Sequence, residues 1–501
     1  MSESAVRVCK QFIGGTWCDA DATEHYEVTN SATAEVIAKT PLSGKPDVDK
    51  AVQAAAGAFP EWAATPVSKR AQVLFRYKRL FEEHMEEMAR IISIEHGKTL
   101  AEGVGELRRG LEVIDMCCGM PMLMKGETLD DLGGGVDYKT VRYPVGVCAG
   151  ITPFNFPGMI PHWMFPIAIA CGNTFVLKPS HQCPLTPIRF VELLEEAGLP
   201  PGVLNLVHGA KDASQALLEH PDVQAVSFVG STPVAHRIYQ TAAANGKRVQ
   251  AAGGAKNHLV VLPDAPMDLA VRNITTSAFG SVGERCMAVA SVIAVGDAAD
   301  VLVPQLVEAA AALRVGPTCR DGDTGELGPL VSAQHRDRVV GYIDNGVEEG
   351  ATLALDGRGV SVPEAPNGFF VGPTIFDHVL PQYTIAQDEI FGPVLCVLRM
   401  DSLEAAIDHI NASPFGNAAC VYTNDGRAAR RFRAEANHGM IGINVGVPAP
   451  VAFFPFTGWN TSFFGDLHVQ GHEGVSFYTH DKVVMSRWVV TGEAETFDRK
   501  I

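Results

Sequence analysis

The segment AVSFVGSTPVAHRI, residues 225–238, contains the pattern from which the fold of this chain is predicted. Its apolar first half is typical of a buried strand that ends at Gly230. A helix is predicted to follow, with Ser231 or Thr232 as its cap and Pro233 in its first position. A helix that begins directly after a strand presents free backbone N–H groups, which suit an anion such as a pyrophosphate. The same letters also fit an ordinary capped helix.

Short apolar runs and helical stretches alternate on both sides of this segment. From 146 to about 262 the runs are GVCAGIT, NTFVLKP, VLNLVHG, AVSFVGS and HLVVLP, and a second alternation runs from 257 to about 445. Residues 47–118 are predicted to be helical. Because βαβ alternation is typical of parallel sheets covered by helices, the fold class is predicted to be α/β with two Rossmann-type parallel sheets.

Two further segments are predicted to be extended. Residues 126–145 hold a Gly-rich turn and then VDYKTVRYPVGV, which predicts a strand pair or an arm. The tail 474–490, GVSFYTHDKVVMSRWVV, alternates enough to be a strand. A C-terminal strand far from both sheets is expected to pair with another subunit. The chain is therefore predicted to be a homo-oligomer, either a dimer or a homotetramer.

Composition and charge narrow the classes of function. The chain has 501 residues, with 47% hydrophobic and 19% charged side chains, which fits a large enzyme of two or more domains. Its net charge of -17 argues against non-specific binding of nucleic acid or of an anionic membrane, since both attract a positive surface. Prolines and polar residues break the most apolar stretch, 151–177, so no membrane span is predicted.

The 11 cysteines are odd in number and spread thinly. No CxxC pair and no Cys/His cluster with zinc spacing occurs, so neither a disulfide framework nor a metal site is expected. The opening MSESAVRVCKQFIGG has neither the apolar core of a signal peptide nor an Arg-rich amphipathic pattern. We therefore predict a reducing, cytoplasmic location.

Two residues are candidates for catalysis, one as a nucleophile and one as a hydrogen-bond donor. Cys286 follows a Gly-bearing turn in FGSVGERCMA and adjoins Arg285, whose guanidinium would favour the nucleophilic thiolate. A free cysteine is also often just a small buried hydrophobe. Asn155 lies in ITPFNFPG before Pro157, where its amide can donate to a developing oxyanion or simply close a turn.

Five segments, in this order, resemble motifs of the aldehyde dehydrogenase superfamily, and the resemblance covers nearly the whole chain. The segments are ITPFNFP (151–157), NTFVLKPS (173–180), SFVGST (227–232), GERC (283–286) and EIFGPV (389–394).

The resemblance implies that Cys286 is the nucleophile, that Asn155 holds the oxyanion, and that NAD is the cofactor. The cofactor-binding residues that it implies are Thr152, Phe154, Lys178, His181, Gly230, Ser231, Glu389 and Phe391.

Four further segments are similar to the CoA-acylating methylmalonate-semialdehyde dehydrogenases. They are RGLEVIDMCCGMP (109–121), GAKNH (254–258), the Arg285–Cys286 pair and TSFFGDLHVQGHEGVSFYTH (461–480).

That subfamily implies three domains. A dinucleotide-binding domain is expected from 1–122 and 145–256, and a catalytic domain over 257–460. An oligomerisation arm and C-terminal tail are expected from 123–144 and 461–501.

Ala252 predicts coenzyme A as the co-substrate. Hydrolytic members of the superfamily are expected to carry a water-activating glutamate in E-L-G-G-K, and here the matching letters are AGGAK, 252–256. Alanine cannot accept a proton, so a thioester on Cys286 would survive until a thiol such as coenzyme A takes the acyl group. Glu284 can substitute as a base, although it is expected to point away or to pair with an arginine.

The resemblance matches Arg109 and Arg285 to two arginines that are expected to hold a substrate carboxylate, which fits the donor fork of a guanidinium. The predicted substrate is methylmalonate or malonate semialdehyde, giving propionyl-CoA or acetyl-CoA with loss of carbon dioxide. For Arg109 a solvated helix face is the alternative, because Arg108 adjoins it. Trp459 and Asn460 depart from the usual residues and are expected near the mouth of the site.

His181 takes the place of a glutamate that many NAD-preferring relatives carry three residues after the lysine of KPS. An acidic residue there would repel a 2′-phosphate, and a histidine would not. We therefore predict NAD use with tolerance of NADP.

Two rival functions stay open at this point. One is a hydrolytic semialdehyde dehydrogenase that makes a free acid with Glu284 or an ordered water as base. The other is a catalytically silent binding or structural protein with the same fold.

Overall fold

The structure is a computed structural model that describes residues 6–133, 135–320 and 322–487. Within these ranges the chain forms 23 strands and 16 α-helices. The strands are β1 (Arg7–Val8), β2 (Gln11–Ile13), β3 (Thr16–Cys18), β4 (His25–Thr29), β5 (Val36–Pro41), β6 (Thr128–Leu129), β7 (Val136–Pro144), β8 (Val147–Ile151), β9 (Thr174–Lys178), β10 (Leu204–Leu206), β11 (Val223–Val229), β12 (Arg248–Ala252), β13 (Asn257–Val261), β14 (Val289–Val295), β15 (Thr352–Leu355), β16 (Thr374–Asp377), β17 (Val394–Met400), β18 (Phe415–Gly416), β19 (Ala418–Tyr422), β20 (Met440–Ile443), β21 (Trp459–Asn460), β22 (Phe463–Phe464) and β23 (Thr479–Arg487). The helices are α1 (Lys45–Ala64), α2 (Val67–Glu83), α3 (Met85–His96), α4 (Leu100–Cys118), α5 (Met120–Leu123), α6 (Phe165–Cys171), α7 (Leu185–Glu196), α8 (Lys211–Glu219), α9 (Thr232–Ala244), α10 (Met267–Phe279), α11 (Ala298–Ala311), α12 (Ala333–Glu348), α13 (Thr384–Gln387), α14 (Leu403–Asn411), α15 (Gly426–Glu435) and α16 (Gly471–Phe477).

An eight-stranded sheet has the order β22-β12-β11-β8-β9-β10-β2-β3. Its five central strands, from β12 to β10, run parallel. Helices α1, α6, α8 and α9 pack against these strands. Because β8 and β9 are covered on both faces, all their residues are buried, which explains why they read as continuous apolar runs. The strand β12 was not among the predicted runs.

A seven-stranded sheet has the order β15-β16-β17-β14-β13-β19-β20, and all of it is parallel except β15. The run HLVVLP was predicted together with the first alternation, and that grouping was wrong. Strand β13 lies in the second sheet, because its apolar residues are buried between its neighbours β14 and β19. The α/β class with two parallel sheets is confirmed.

A three-stranded antiparallel sheet has the order β23-β7-β6. The start predicted for the tail strand was wrong. The strand begins at Thr479, because residues 471–477 form helix α16, which buries Val475 and Phe477. The strand pairs along its whole length with β7 of the same chain and forms one edge of the small sheet, so its pairing with another subunit stays a prediction. Residues 488–490 of the predicted strand lie outside the described residues.

The three-domain division stays a proposal that these sheets support. The eight-stranded sheet draws on 11–18 and 147–252, the seven-stranded sheet on 257–443, and the small sheet on 128–144 and 479–487. Strand β22, predicted as part of the tail, pairs with β12 at the edge of the eight-stranded sheet.

Helix α4 carries several side chains of the site described below. Thr99 and Glu102 form a capping box at its start, which satisfies backbone donors of the first turn. Buried residues recur every three or four positions, among them Gly103, Leu107 and Gly110, so one face packs inward. Within the described ranges no helix is both long enough and apolar enough to cross a membrane.

Candidate active site

The turn that precedes the candidate nucleophile is strained. Three consecutive residues have positive φ: Ser281 at 48°, Val282 at 58° and Gly283 at 74°. A β-branched residue rarely adopts this conformation, so surrounding contacts must hold the turn in place. One such contact is the backbone N–H of Ser281, which donates to Oε1 of Glu102 at 2.6 Å.

Two asparagine side chains fix the backbone of Cys286. Its carbonyl accepts from Nδ2 of Asn257 at 2.8 Å and from Nδ2 of Asn417 at 3.0 Å. Because this peptide group is held, the direction of the neighbouring backbone N–H groups is fixed as well. Asn257 belongs to the GAKNH motif, whereas no sequence pattern pointed to Asn417.

Burial, together with the nearby Glu389 carboxylate, raises the pKa of the Cys286 thiol to about 12. Arg285 lowers that pKa, as do the backbone N–H groups of Cys286 and Met287, but burial outweighs all three. The predicted direction of the Arg285 effect is therefore observed, since Arg285 lowers the pKa of Cys286, but burial has the larger effect on this thiol.

The amide of Asn155 is oriented by the nucleophile segment itself. Its Nδ2 donates to the carbonyl of Glu284 at 3.1 Å, and the second N–H of the amide has no acceptor among the described residues. Lys98 holds the backbone of the same residue by donating from Nζ to the Asn155 carbonyl at 2.7 Å. Lys98 also pairs with Glu106 at 2.6 Å, and Glu106 accepts from the backbone N–H of Gly158 at 2.5 Å. This buried ion pair fixes both ends of the Asn155 loop.

Cys286 opens onto a cavity of about 220 Å³, here called the Cys286 cavity. Its lining residues are Glu102, Gly105, Glu106, Arg109, Glu112, Phe156, Met159, Trp163, Ser281, Arg285, Cys286, Met287, Val447, Ala449, Pro450, Phe456 and Gln470. Trp459 and Asn460 lie outside this lining, because they pair with β18 as strand β21. Their expected position at the mouth of the site is not observed.

Both predicted arginines line the Cys286 cavity, whereas Arg108 points to solvent. The solvated alternative for Arg109 therefore does not hold. Each guanidinium already has a carboxylate partner: Arg109 lies 2.9 Å from Glu112, and Arg285 lies 3.1 Å from Glu102. Within the described chain, Nη1 of Arg285 has no hydrogen-bond acceptor, so this atom is available to a ligand.

Every carboxylate that lines the Cys286 cavity is in an ion pair. These residues are Glu102, Glu106 and Glu112, and their partners are Arg285, Lys98 and Arg109. Each of the three therefore already has a cationic partner, and none is an unpaired carboxylate.

The sequence suggested that Glu284 points away or pairs with an arginine. Within the described residues it forms no ion pair with an arginine. Its side chain is fully buried, and Oε1 accepts from the backbone N–H of Val331 at 3.2 Å. His96 and His335 are its nearest basic neighbours. Glu284 does point away from the Cys286 cavity, because it turns into the protein behind the nucleophile turn.

A second cavity of about 540 Å³, here called the Lys178 cavity, lies where the first sheet meets α9. Of the residues predicted to bind the cofactor, the following line it: Thr152, Phe154, Lys178, His181, Gly230 and Ser231.

Helix α9 begins at the wall of the Lys178 cavity. Ser231 is its N-cap residue, but the Ser231 side chain accepts no hydrogen bond from the helix, and Pro233 takes the second position instead of the first. Uncapped backbone N–H groups at a helix start suit a phosphate. Oγ1 of Thr152 is buried there without a partner, which is a further polar group available to a ligand.

Burial lowers the pKa of two basic residues that line the Lys178 cavity. Burial lowers the pKa of Lys178 to about 8, and its Nζ donates to the carbonyls of Pro179 and Gly209. Burial, together with Lys178, lowers the pKa of His181 to about 4. At neutral pH His181 is therefore uncharged.

Glu389 and Phe391 lie on a loop outside the lining of the Lys178 cavity. Oε1 of Glu389 accepts from the backbone N–H of Ala255 at 3.0 Å. A Cβ at Gly254 would lie 2.3 Å from Oε2 of Glu389, so a larger residue there would displace the Glu389 carboxylate. The rings of Phe391 and Phe154 are 6.0 Å apart, which joins this loop to the Lys178 cavity.

Comparison with known proteins agrees with this arrangement. Residues 17–484 match the model of the aldehyde dehydrogenase family. The chain belongs to the aldehyde dehydrogenase family.

Relatives in this family are similar over nearly their whole length. The malonate-semialdehyde dehydrogenase 2 of Geobacillus kaustophilus is 52% identical, with 97% of this chain and 100% of the relative covered. The structure of a putative methylmalonate-semialdehyde dehydrogenase from Sinorhizobium meliloti complexed with NAD superposes with a TM-score of 0.95 at 44% identity, covering 97% and 99%. That of a methylmalonate-semialdehyde dehydrogenase from Oceanimonas doudoroffii also has a TM-score of 0.95, at 49% identity and with the same coverage.

Sequence reasoning missed the residues that hold the site together. Those around the Cys286 cavity are Lys98, Glu102, Glu106, Glu112 and Asn417. Only Glu102 had a readable signal, since T-x-x-E before a helical run predicts a capping box.

Proposed function

We propose that this chain oxidises malonate semialdehyde or methylmalonate semialdehyde with NAD and transfers the acyl group to coenzyme A. The names of its relatives support the substrate class. The observation that carries the proposal is the Cys286 cavity, which combines a cysteine with two arginines and contains no unpaired carboxylate.

Cys286 acts as the nucleophile in this proposal. Its sulfur bonds to the aldehyde carbon and its proton passes to the carbonyl oxygen, giving a thiohemiacetal. The second N–H of the Asn155 amide and the backbone N–H of Cys286 stabilise the negative charge that develops on that oxygen. The carbon then loses a hydride and the oxygen releases its proton to solvent, which leaves a thioester on Cys286.

The Lys178 cavity holds the cofactor in this proposal. Its volume falls in the range of cofactor sites, and the uncapped start of α9 and Oγ1 of Thr152 fit phosphate and hydroxyl groups. NAD, when bound, supplies the hydride acceptor. Because His181 is uncharged at neutral pH, it neither repels nor attracts a 2′-phosphate, which supports tolerance of NADP.

The thioester reacts with a thiol because the expected base is missing and no unpaired carboxylate lines the Cys286 cavity. Ala252 replaces the expected base and is buried in the core, and the three lining carboxylates are paired. The sulfur of coenzyme A bonds to the acyl carbon, the Cys286 sulfur leaves, and the proton of the coenzyme A thiol returns to Cys286. Atoms and charge balance in this exchange.

The arginines select an aldehyde that carries a carboxylate. Nη1 of Arg285 has no acceptor within the described chain, so a carboxylate there gains a charge-assisted hydrogen bond. Both Nη atoms of Arg109 already donate to Glu112, Ala449 and Pro450, so Arg109 adds positive charge to the same cavity. Once the aldehyde carbon is a thioester, the free carboxylate is β to a carbonyl. It leaves as carbon dioxide, and a solvent proton takes its place on the carbon.

The decisive experiment mixes the protein with malonate semialdehyde and NAD, and follows reduced cofactor with and without coenzyme A. We expect a burst of about one equivalent without coenzyme A, and sustained turnover with acetyl-CoA formation when it is present. Equal turnover without coenzyme A, with a free acid as product, would mean that a hydrolytic enzyme is the correct description. Absence of any reduction would support the catalytically silent alternative.

We also propose that two or more copies assemble through the small sheet. Leu129, Val483 and Met485 lie on one face of this sheet, and they are all more than 50% exposed, with 53%, 64% and 65% of their surface accessible. Apolar side chains grouped in this way usually mark a protein interface. Sedimentation of the wild type against Val483→Lys/Met485→Lys tests this, because a charged face should yield a smaller species.

A cytoplasmic location is the last part of the proposal. All eleven cysteines are free thiols, which suits a reducing compartment. Fractionation of cells with an antibody against the chain tests it.

A further inference from the structure

A buried cluster of Glu284, His96 and His335 lies behind the Cys286 cavity and takes no part in the steps above. Nε2 of His96 is 3.4 Å from Oε2 of Glu284, and Nε2 of His335 is 3.5 Å from Oε1. The side chains of Glu284 and His96 are completely enclosed. Within the described chain, Oε2 of Glu284 and both ring nitrogens of His96 have no hydrogen-bond partner.

The surroundings favour an uncharged pair. A buried carboxylate without a cation is costly, and Lys98, the cation that acts on it, is already paired with Glu106. Burial raises the pKa of Glu284 well above its usual range and lowers the pKa of His96 well below its own. A protonated Glu284 that donates from Oε2 to Nε2 of His96 provides the missing partner for both atoms.

This cluster joins the three loops that form the site. The backbone carbonyl of Glu284 accepts from the Asn155 amide at 3.1 Å, and Cys286 follows two residues later. His335 donates from Nε2 to the carbonyl of Phe391 at 2.7 Å. The rings of His96 and Phe154 are 6.0 Å apart. A shift of Glu284 would therefore move the nucleophile segment relative to its oxyanion donor.

We propose that Glu284 is a positioning residue that works as an uncharged acid. Its hydrogen bond to His96 anchors the strained turn. This contact holds Cys286 and the Asn155 amide in a fixed position relative to each other. The inference rests on the proposed roles of Cys286 and Asn155. It also explains why Glu284 does not activate water: it faces away from the cavity and keeps its proton.

The test compares Glu284→Gln with Glu284→Ala. Glutamine donates to His96 and accepts from Val331 as a protonated glutamate does, so its burst of reduced cofactor should stay within a few-fold of wild type, with the same pH profile. Alanine releases the turn, and its burst rate constant should fall about 100-fold with little change in KM, as expected for a small misplacement. The alkylation of Cys286 by iodoacetamide should become several-fold faster in the alanine variant only, because the sulfur is less enclosed.

Asp377→Asn is the matched control, because it removes a buried carboxylate from its pair with Arg399 in the second sheet. It should lower the melting temperature and leave the burst unchanged. His96→Leu should also lower the burst rate constant, and the double variant should lose no more than Glu284→Ala alone, since the contact with His96 is already broken there.

An equal loss in the glutamine and alanine variants would overturn the proposal, because it would mean that the charged carboxylate matters. So would wild-type kinetics in the alanine variant. If the wild type reduces no cofactor with any semialdehyde, the proposed function is wrong, and the alkylation rates still decide whether Glu284 positions Cys286.

Discussion

The Lys178 cavity and the Cys286 cavity are built in opposite ways. The Lys178 cavity is formed by strand ends and the helix start of one sheet, and its predicted residues come from three short motifs. The Cys286 cavity gathers residues from helix α4, the nucleophile turn and the segment 447–470, which lie far apart in the chain.

The difference extends to the electrostatics. The Lys178 cavity leaves polar groups without partners, namely the start of α9 and Oγ1 of Thr152. The Cys286 cavity has each of its carboxylates tied to a cation. A binding site for a large ligand can leave its donors open, whereas a reacting site must hold its groups fixed before the substrate arrives. Variants should therefore separate binding in one cavity from chemistry in the other.

The largest expected effect is at the nucleophile. Cys286→Ser should lower kcat by about 10⁴-fold or more, because the alcohol is a far weaker nucleophile, while the Kd for NAD stays near that of wild type. Stopped-flow measurement of reduced cofactor and titration calorimetry check the two halves. Cys319→Ser, another partly exposed cysteine, is the control and should behave as wild type. Loss of NAD binding in the Cys286 variant would contradict the separation.

The next effect is at the oxyanion donor. Asn155→Ala should raise the barrier by about 2.7–4 kcal/mol, or about 10²- to 10³-fold in kcat, because one preorganised N–H is lost. Single-turnover kinetics with malonate semialdehyde measures it. Asn411→Ala, in which an exposed amide is removed, should have no effect. A change confined to KM would argue that Asn155 only closes a turn.

A smaller effect distinguishes the two neighbouring arginines. Arg109→Ala should lower kcat/KM for malonate semialdehyde about 10- to 100-fold, as expected for a positive charge lost near the carboxylate, and should hardly affect propanal. Arg108→Ala is the matched control, since that side chain points to solvent. Equal losses for both aldehydes would show that Arg109 supports the fold instead of selecting a carboxylate.

The pH dependence of alkylation reports on the Cys286 thiol. Because burial raises its pKa to about 12, the thiolate fraction should grow about tenfold per pH unit from about pH 7 to pH 9, without a plateau. The rate of iodoacetamide labelling, followed by mass spectrometry of the Cys286 peptide, measures this. A plateau near neutral pH would mean that Arg285 lowers the pKa of Cys286 by more than burial raises it.

The smallest expected effect lies in the Lys178 cavity. His181→Glu should lower kcat/KM with NADP about 5- to 10-fold, because a carboxylate repels the 2′-phosphate by about 1 kcal/mol or more, and should leave NAD kinetics unchanged. His181→Gln separates charge from shape and should keep the wild-type ratio. A wild type that already prefers NAD by several orders of magnitude would refute the predicted tolerance.

The sequence by itself determined the α/β class and the two parallel sheets. It also determined which residues are candidates for catalysis and cofactor binding. The apolar strand runs, the start of α9 and GERC are local patterns, and a few neighbouring residues specify each of them. The five ordered motifs led to the family, which the comparison of residues 17–484 then showed.

The tertiary structure decided how those residues are held and charged. Lys98 contacts the Asn155 backbone across 57 positions, and Glu102 contacts Arg285 across 183, so neither contact has a local pattern. The pairing of β23 with β7 and the burial of Glu284 were also decided by packing. Hydrophobic periodicity is a property of adjacent residues, but burial and the pKa of a side chain depend on which distant segments cover it.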